Sequence, residues 1–175
     1  MTFNDWPWRH WRQRRGEALA LRLNNQPLTW RELCARVDAL ASGFAAQGVM
    51  EGQGVALRAY NQPETLLAWL ALLQCGARVL PLNPQLPAVL QQALLPALTM
   101  QHQLVLNGDV LPGNLPMLTL QLVEGEHAAC WHGDRLVSMT LTSGSTGLPK
   151  AAVHSANAHL ASAAGVLALM PFAAG

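Results

Sequence analysis

The segment GVALRAYNQPETLLAWLALLQCGARVLPLNP, residues 54–84, predicts a strand, a helix and a second strand in direct succession. Residues 54–60 are a short apolar run typical of a buried strand. The helix that follows is apolar over much of its surface and ends at Gly76, which indicates that it is buried. Residues 77–82 form the second apolar strand, and Asn83-Pro84 stops it. We expect this unit to be a βαβ crossover.

The segments on either side continue the alternation of strands and helices. Before the unit, residues 18–23 predict a strand, and Thr29 with Glu32 forms a capping box that starts a helix ended by Gly48. After it, further helices are predicted over residues 86–98, where Pro96 must end the helix, and over residues 158–170, where Ser155 can cap it. Further strands are predicted over residues 104–106, 117–122 and 136–141. Short, continuously apolar strands separated by helices favour parallel pairing. We therefore predict an α/β fold, with a largely parallel sheet flanked by helices on both faces.

The composition limits the classes of protein to consider. With 175 residues, 51% of them hydrophobic and 12% charged, the chain can bury the core of one ordinary domain. A formal net charge of +1 provides no overall field to attract nucleic acid, so we predict no nucleic-acid partner.

The cysteines and the apolar segments bear on the cellular compartment. The 3 cysteines have no CxxC spacing, which fits neither a disulfide framework nor a zinc site and favours a reducing compartment. No apolar window reaches the roughly 20 residues needed to cross a bilayer. We predict a soluble, cytoplasmic protein without stable membrane insertion.

A hydroxyl-rich loop follows the predicted strand at residues 136–141. Residues 142–147 combine four hydroxyl side chains with two glycines, and Lys150 follows. Glycine lets the backbone approach a ligand closely, hydroxyls add hydrogen-bond donors, and lysine adds a mobile positive charge. In parallel sheets ligands collect where the strands end. This composition suits a polyphosphate.

This loop has two other interpretations. A Walker A loop needs a lysine directly after its second glycine, whereas Leu148-Pro149 separates Gly147 from Lys150, so that interpretation fails on spacing. A flexible surface turn is common for Ser/Gly tracts. The short length of the tract, the apolar strand before it and the Pro149-Lys150 pair favour ligand binding.

The sequence TSGSTGLPK, residues 142–150, resembles the phosphate-binding signature of the adenylate-forming superfamily, which includes acyl-CoA synthetases, luciferases and peptide-synthetase adenylation domains. The segments LTWREL (residues 28–33) and LQCGARVLPLNP (residues 73–84) resemble two further motifs of the superfamily, in the expected order. Within it the chain is most similar to the o-succinylbenzoate–CoA ligases of menaquinone biosynthesis.

The resemblance implies a reaction in two steps. An aromatic carboxylate, here o-succinylbenzoate, attacks the α-phosphate of Mg²⁺-bound ATP, and the thiol of CoA then displaces AMP to leave a thioester. The loop is implied to hold the β- and γ-phosphates, and no residue of the chain is implied to act as a catalytic nucleophile. The implied phosphate-binding residues are Thr142, Ser143, Gly144, Ser145, Thr146, Gly147 and Lys150.

The resemblance also implies a domain assignment. Residues 1–175 resemble the N-terminal part of the AMP-binding (adenylation) domain, whose later motifs and C-terminal domain do not occur in this sequence. We expect an N-terminal fragment of a ligase that is inactive alone. The alternative is a non-catalytic module that binds phosphate or nucleotide.

Some residues keep two interpretations. Trp6, Trp8 and Trp11, with their neighbouring arginines, fit a helix on a membrane surface, although we favour tryptophans packed on the domain with the arginine side chains reaching water. His154 is either close to the nucleotide or an ordinary structural histidine. Cys75 is expected to be a buried, unreactive thiol.

Overall fold

A computed structural model describes residues 2–142 and 150–170 of the chain. Within these ranges the helices are α1 (Pro7–Arg15), α2 (Trp30–Ala46), α3 (Pro63–Gln74), α4 (Ala88–Leu94) and α5 (Ala156–Leu169). The strands are β1 (Leu19–Leu23), β2 (Gln26–Thr29), β3 (Gly54–Arg58), β4 (Arg78–Leu82), β5 (His102–Val105), β6 (Met117–Leu118), β7 (Leu136–Thr142) and β8 (Lys150–Ser155). A 3₁₀ turn, Leu95–Ala97, follows α4.

The main sheet has the strand order β6-β5-β3-β4-β7-β8. Strand β3 pairs in parallel with β4 and β5, and β4 pairs in parallel with β7. Only the edge strand β8 runs antiparallel to its neighbour in this sheet. The predicted α/β architecture with a largely parallel sheet is therefore confirmed.

Helices cover both faces of the sheet. Alternate residues of a strand point to opposite faces, so each face packs into its own core. Val55 and Leu57 of β3 belong to a core shared with α1, α2 and α3, whereas Ala56 between them belongs to a second core. The second core is closed by Leu95 of the 3₁₀ turn and by Leu111. Strand β3 is buried along its whole length, as expected for a central parallel strand.

The ends of α2 follow the sequence prediction. The Thr29 hydroxyl accepts a hydrogen bond from the Glu32 backbone at 3.2 Å, and the Glu32 carboxylate accepts one from the Thr29 backbone at 2.8 Å. These bonds hold the pKa of Glu32 below its ordinary value. After the helix, Gly48 adopts φ 95°, a left-handed conformation that glycine tolerates best.

Two tryptophans at the start of the N-terminal helix α1 anchor it to the first core. Trp6 is 1% exposed and Trp8 is 8% exposed, and their rings stack at 5.4 Å. The interpretation that they pack on the domain is confirmed. The expectation that all the arginines reach water was wrong for Arg9 and Arg12, which bind the buried carboxylate of Asp38 at 3.1 and 2.9 Å.

Two strands were not predicted from the sequence. Asn24 and Asn25 have φ of 47° and 66° and form the turn of a hairpin, so β2 begins directly after them. Strand β8 begins at Lys150, which was assigned to the loop. Helix α4 begins at Ala88, two residues later than predicted. It ends before Pro96, as expected, because proline has no backbone N–H to continue an α-helix, and the chain turns into the 3₁₀ conformation.

Helix α5 begins with the predicted cap, in which the Ser155 hydroxyl accepts a hydrogen bond from the Ala158 backbone at 3.2 Å. Ala156 is its one buried residue, and residues 161–170 are exposed although most of them are apolar. None of the helices in the described ranges combines the length and the hydropathy needed to cross a membrane.

Candidate functional site

The β7–β8 hairpin frames the loop that the sequence identifies as a phosphate site. Its cross-strand pairs run from Leu136 and Ser155 to Thr142 and Lys150. Five of the predicted phosphate-binding residues lie outside the described residues: Ser143, Gly144, Ser145, Thr146 and Gly147. The structure therefore places two members of that set, Thr142 and Lys150.

Thr142 and Lys150 are the pair closest to the loop. They are cross-strand partners, and the Thr142 hydroxyl donates a hydrogen bond to the Lys150 carbonyl oxygen at 3.2 Å. Both residues are exposed. The Lys150 backbone is thus held in a strand, and its side chain extends from a defined position at the base of the loop.

The loop leaves the sheet at the edge where ligands collect in parallel α/β folds. The carboxyl ends of β3, β4, β5 and β7 share this edge because the strands are parallel. Helix α3 leaves β3 toward the first core, whereas the 3₁₀ turn after β4 and α4 belongs to the second core. A crevice between β3 and β4 results.

A cavity of about 250 Å³ occupies this crevice. The end of β3 contributes Tyr60 and Asn61, and the end of β4 contributes Asn83 and Pro84. Tyr60 is 48% exposed, and the lining combines neutral polar side chains with apolar ones and contains no charged side chain among the described residues. Sequence analysis missed this cavity, although the two Asn residues at strand ends were a usable signal.

Arg58, the last residue of β3, links two neighbouring loops at this edge of the sheet. Its guanidinium donates to the Pro84 carbonyl at 2.5 Å and to the Asp109 carbonyl at 2.7 Å, although the residue is only 7% exposed. The loops after β4 and β5 are thereby tied to the end of β3. Gly108 packs against the guanidinium with φ 84°, where an added Cβ would lie 3.0 Å from the Arg58 Nε atom.

His154 lies well away from the loop, at the opposite end of the hairpin. It is the cross-strand partner of Ser138, and its ring is 5.5 Å from the ring of His159 on α5. The Ser138 hydroxyl lies 2.7 Å from the His159 Nε2 atom. Sequence analysis missed this contact, because the two residues are 21 positions apart.

The three cysteines are free thiols. Burial raises the pKa of Cys75 to about 12 and that of Cys34 to about 11, so both remain protonated at neutral pH. The Cys75 thiol donates to the Ala41 carbonyl oxygen at 3.3 Å. The expectation that Cys75 is buried and unreactive agrees with these contacts. Cys130 is exposed.

Within residues 2–142 and 150–170, no group of three or more His, Cys, Asp or Glu side chains lies close enough together to hold a metal ion. In nucleotide sites Mg²⁺ usually needs only one or two carboxylates, because substrate phosphates and water supply its other oxygen ligands.

Comparison with known proteins places this architecture in a family. Residues 8–105, more than half of the chain, match the AMP-binding enzyme family. The chain belongs to the AMP-binding enzyme family. The matched range contains α1 to α4 and β1 to β5, which include the scaffold of the carboxyl edge.

Individual relatives extend this AMP-binding family match to nearly the whole chain. The chain is 70% identical over 172 residues to the 2-succinylbenzoate–CoA ligase of Escherichia coli (strain K12), covering 98% of the chain and 38% of that relative. It is 66% identical over 172 residues to the enzyme of that name from Salmonella typhimurium. The chain thus spans under two fifths of the length of these curated relatives.

Solved structures agree with the family fold. Wild-type E. coli MenE, bound to an m-phenylether-linked analogue of OSB-AMS, superimposes with a TM-score of 0.93 at 68% identity, covering 98% of this chain and 38% of that chain. The N-terminal subdomain of Klebsiella oxytoca NpsA superimposes with a TM-score of 0.74 at 26% identity, covering 87% of this chain and 41% of that one.

Proposed function

We propose that residues 1–175 are the N-terminal part of the adenylation domain of an acid–CoA ligase that acts on 2-succinylbenzoate in menaquinone biosynthesis. The observation that supports this most strongly is the 70% identity to the E. coli 2-succinylbenzoate–CoA ligase over 98% of the chain. Because the chain spans 38% of that relative, the complete reaction is assigned to a longer polypeptide.

The proposed reaction has two steps. An oxygen of the 2-succinylbenzoate carboxylate attacks the α-phosphorus of ATP, and the bond to the β-phosphate bridging oxygen breaks, which releases pyrophosphate. The sulfur of CoA then attacks the acyl carbon, the carbon–oxygen bond to AMP breaks, and the thiol proton leaves. Mg²⁺ enters with ATP as part of the substrate, and CoA is the second substrate.

The role proposed for this chain is to hold the part of ATP that departs as pyrophosphate. The loop residues Ser143, Ser145 and Thr146 donate through hydroxyl groups, and Gly144 and Gly147 through backbone N–H groups. Lys150 places an ammonium charge at the base of the loop, where negative charge develops on the leaving group. Each hydrogen bond to a charged oxygen contributes about 1.5–3 kcal/mol.

Thr142 completes the proposed set at the other side of the loop. Its hydroxyl donates to the Lys150 carbonyl oxygen at 3.2 Å, so donation to a phosphate requires that bond to open. A hydroxyl has a single proton to donate. We therefore assign Thr142 a smaller share of phosphate binding than Lys150.

A chimera tests the ligase proposal directly. Residues 1–175 replace the equivalent N-terminal segment of the E. coli relative, and 2-succinylbenzoate-dependent exchange of pyrophosphate into ATP and formation of the CoA thioester are measured. We expect both activities in the chimera, and loss of exchange by roughly 10- to 100-fold in Lys150→Ala. Lys150→Arg keeps the charge, and Arg22→Ala removes an exposed charge from β1 as the matched control. A folded chimera without exchange activity contradicts the proposal.

Phosphate binding by the 175-residue chain itself has a separate test. Lys150 is the only lysine in the sequence, so an amine-acetylating reagent modifies one side chain and the N-terminus. We expect ATP and pyrophosphate to slow acetylation of Lys150 without affecting the N-terminal amine, as read by mass spectrometry. Equal rates with and without these ligands contradict binding by the isolated chain.

A non-catalytic module that binds phosphate or nucleotide is the second candidate. It is favoured by the composition of the loop, since hydroxyl groups, glycines and Lys150 can bind phosphate without a catalytic residue. Protection of Lys150 combined with an inactive chimera supports this candidate.

We also propose a cytoplasmic location. Three free thiols are typical of a reducing compartment, and the proposed substrates include the thiol CoA.

A further inference from the structure

Ser138, His154 and His159 bring three side chains together at the end of the β7–β8 hairpin that is remote from the loop. Ser138 and His154 are cross-strand partners, and four residues along each strand separate them from the Thr142–Lys150 pair, a distance of about 13 Å. His159 reaches this pair from α5. The proposed phosphate chemistry does not use these three residues.

The two imidazoles have the spacing of neighbouring ligands on one metal ion. Their ring centres are 5.5 Å apart, with planes inclined at 56°. Two imidazoles on one tetrahedral ion, each with a metal–nitrogen bond of about 2.0–2.1 Å, have ring centres roughly 5 Å apart. The observed separation of the ring centres is therefore within about 0.5 Å of the value for a shared ion.

We propose that His154 and His159 form a binding site for a first-row transition-metal dication. Imidazole nitrogen suits Zn²⁺, Ni²⁺ and Cu²⁺, whereas Mg²⁺ and Ca²⁺ prefer oxygen ligands. Two protein ligands leave the remaining coordination positions to water. His159 is exposed and His154 is half-buried, so solvent and ions reach the pair.

Ser138 supplies the second observation that favours metal ligation. Its hydroxyl lies 2.7 Å from His159 Nε2, and the residue is only 3% exposed. When Nε2 carries the proton and donates it to this hydroxyl, the lone pair of the His159 Nδ1 atom is free for a metal. Histidines that bind metals almost always donate their other ring N–H to a fixed acceptor in this way.

Ion binding has a structural consequence for α5. His154 belongs to β8 and His159 to the second turn of α5, so a shared ion joins the helix to the edge strand of the sheet. Residues 161–170 of the helix are exposed. In the part of the chain that the structure describes, the Ser138–His159 hydrogen bond joins a side chain of α5 to the sheet. An ion that binds the folded chain and not the unfolded chain stabilises it by RT ln(1 + [L]/Kd).

The test uses the full 175-residue chain, freed of any polyhistidine tag, in a Cys130→Ser background that removes the exposed thiol. NiCl₂ and ZnCl₂ are titrated by calorimetry at neutral pH, and the thermal midpoint is measured with and without Ni²⁺. His154→Gln and His159→Gln each remove one ligand. His132→Gln removes an exposed histidine elsewhere and is the matched control.

We expect one Ni²⁺ per chain and a higher thermal midpoint in its presence. His154→Gln and His159→Gln are each expected to weaken binding at least tenfold or so, because one imidazole remains, and His132→Gln leaves it unchanged. Ser138→Ala is expected to weaken binding roughly tenfold through loss of the fixed tautomer.

The proposal is overturned when the parent chain binds no Ni²⁺ or Zn²⁺, or when both ligand variants bind as tightly as the parent. It is also overturned when His132→Gln weakens binding as much as they do. Circular dichroism of each variant confirms folding, and the two ligand positions are not fully buried, so each variant is a fair test. Unchanged affinity in Ser138→Ala overturns the role given to that hydroxyl.

Discussion

Thr142 and Lys150 close the β7–β8 hairpin as cross-strand partners, with the Thr142 hydroxyl donating to the Lys150 carbonyl oxygen at 3.2 Å. The sequence motif includes both residues among the phosphate ligands. Their positions make them different, because Lys150 carries its ammonium group at the end of a long side chain, whereas the Thr142 hydroxyl donates its one proton within the hairpin.

This difference predicts unequal effects on phosphate binding. Thr142→Val keeps the shape of the side chain and is expected to weaken pyrophosphate binding in the chimera less than about tenfold, whereas Lys150→Ala weakens it roughly 10- to 100-fold. Equilibrium titration with pyrophosphate measures both, and Thr142→Ser is the control that keeps the hydroxyl. Equal losses for Thr142→Val and Lys150→Ala would show that Thr142 is a full ligand.

Replacement of a helical glycine by alanine is expected to destabilise the chain at Gly43 and to stabilise the helix at Gly165. An added Cβ at Gly43 in α2 would lie 1.8 Å from the Gln121 carbonyl oxygen, whereas at Gly165 in α5 it would meet nothing within 4 Å. Helix propensity favours alanine by about 1 kcal/mol at either position, and overpacking costs about 1–3 kcal/mol. Gly43→Ala should lower the free energy of unfolding, and Gly165→Ala should raise helicity by circular dichroism. A Gly43→Ala chain as stable as the parent would contradict the close approach of Gln121.

The buried carboxylate of Asp38 should contribute more to stability than an exposed ion pair. Asp38 is 3% exposed and accepts hydrogen bonds from Arg9, Arg12 and Gln74. Asp38→Asn removes the buried carboxylate that Arg9 and Arg12 share, while Asp5 and Glu126 remain beside these guanidinium groups. The expected cost is therefore roughly 3 kcal/mol in urea unfolding, the low end for a broken buried ion pair.

The control for Asp38 is Glu17→Gln, which breaks the exposed Arg31–Glu17 pair. Those side chains are 66% and 77% exposed, so the expected cost is about 0–1 kcal/mol. Similar losses for Asp38→Asn and Glu17→Gln would mean that burial does not strengthen the Asp38 network.

His102 should make stability fall in mild acid. Burial lowers its pKa from the ordinary value of 6.5, an effect that the Gly48 backbone only partly offsets, and its Nε2 atom lies 3.0 Å from Gln53 Oε1. Below pH 6.5 the unfolded chain binds a proton that the folded chain does not, so the free energy of unfolding decreases as the pH falls. Above that pH the histidine is neutral in both states, so it does not make the free energy of unfolding depend on pH.

The measurement is the free energy of unfolding in urea as a function of pH for the parent and for His102→Gln. The variant should lose part of the decrease below pH 6.5, and His132→Gln, at an exposed position, should keep it. A parent and a His102→Gln chain with parallel pH profiles would contradict the assigned cause.

The cysteines should differ in reactivity. Burial raises the pKa of Cys34 to about 11 and of Cys75 to about 12, and the thiolate is the reactive form. An aromatic disulfide reagent at neutral pH is therefore expected to label the exposed Cys130 in the native chain and all three thiols in denaturant. Cys130→Ser should abolish native labelling, and rapid labelling of Cys34 or Cys75 would show that the core opens readily.

The sequence alone was sufficient for features that depend on neighbouring residues. The Thr29–Glu32 capping box, the glycine that follows α2 and the βαβ unit at residues 54–84 all depend on short-range hydrogen bonds and apolar periodicity, and each is present. The position of the loop after β7 follows from the same patterns, since an apolar run ends where the hydroxyls begin.

Tertiary structure alone decided which distant groups meet. Strand β8 is rich in alanine and gains its hydrogen bonds only by pairing with β7, so the strand character of Lys150 was not visible in the local pattern. The contacts of Arg9 and Arg12 with Asp38, and of Ser138 with His159, join residues far apart along the chain. Such contacts depend on the packing of whole helices and strands, which brings residues together irrespective of their spacing in the sequence.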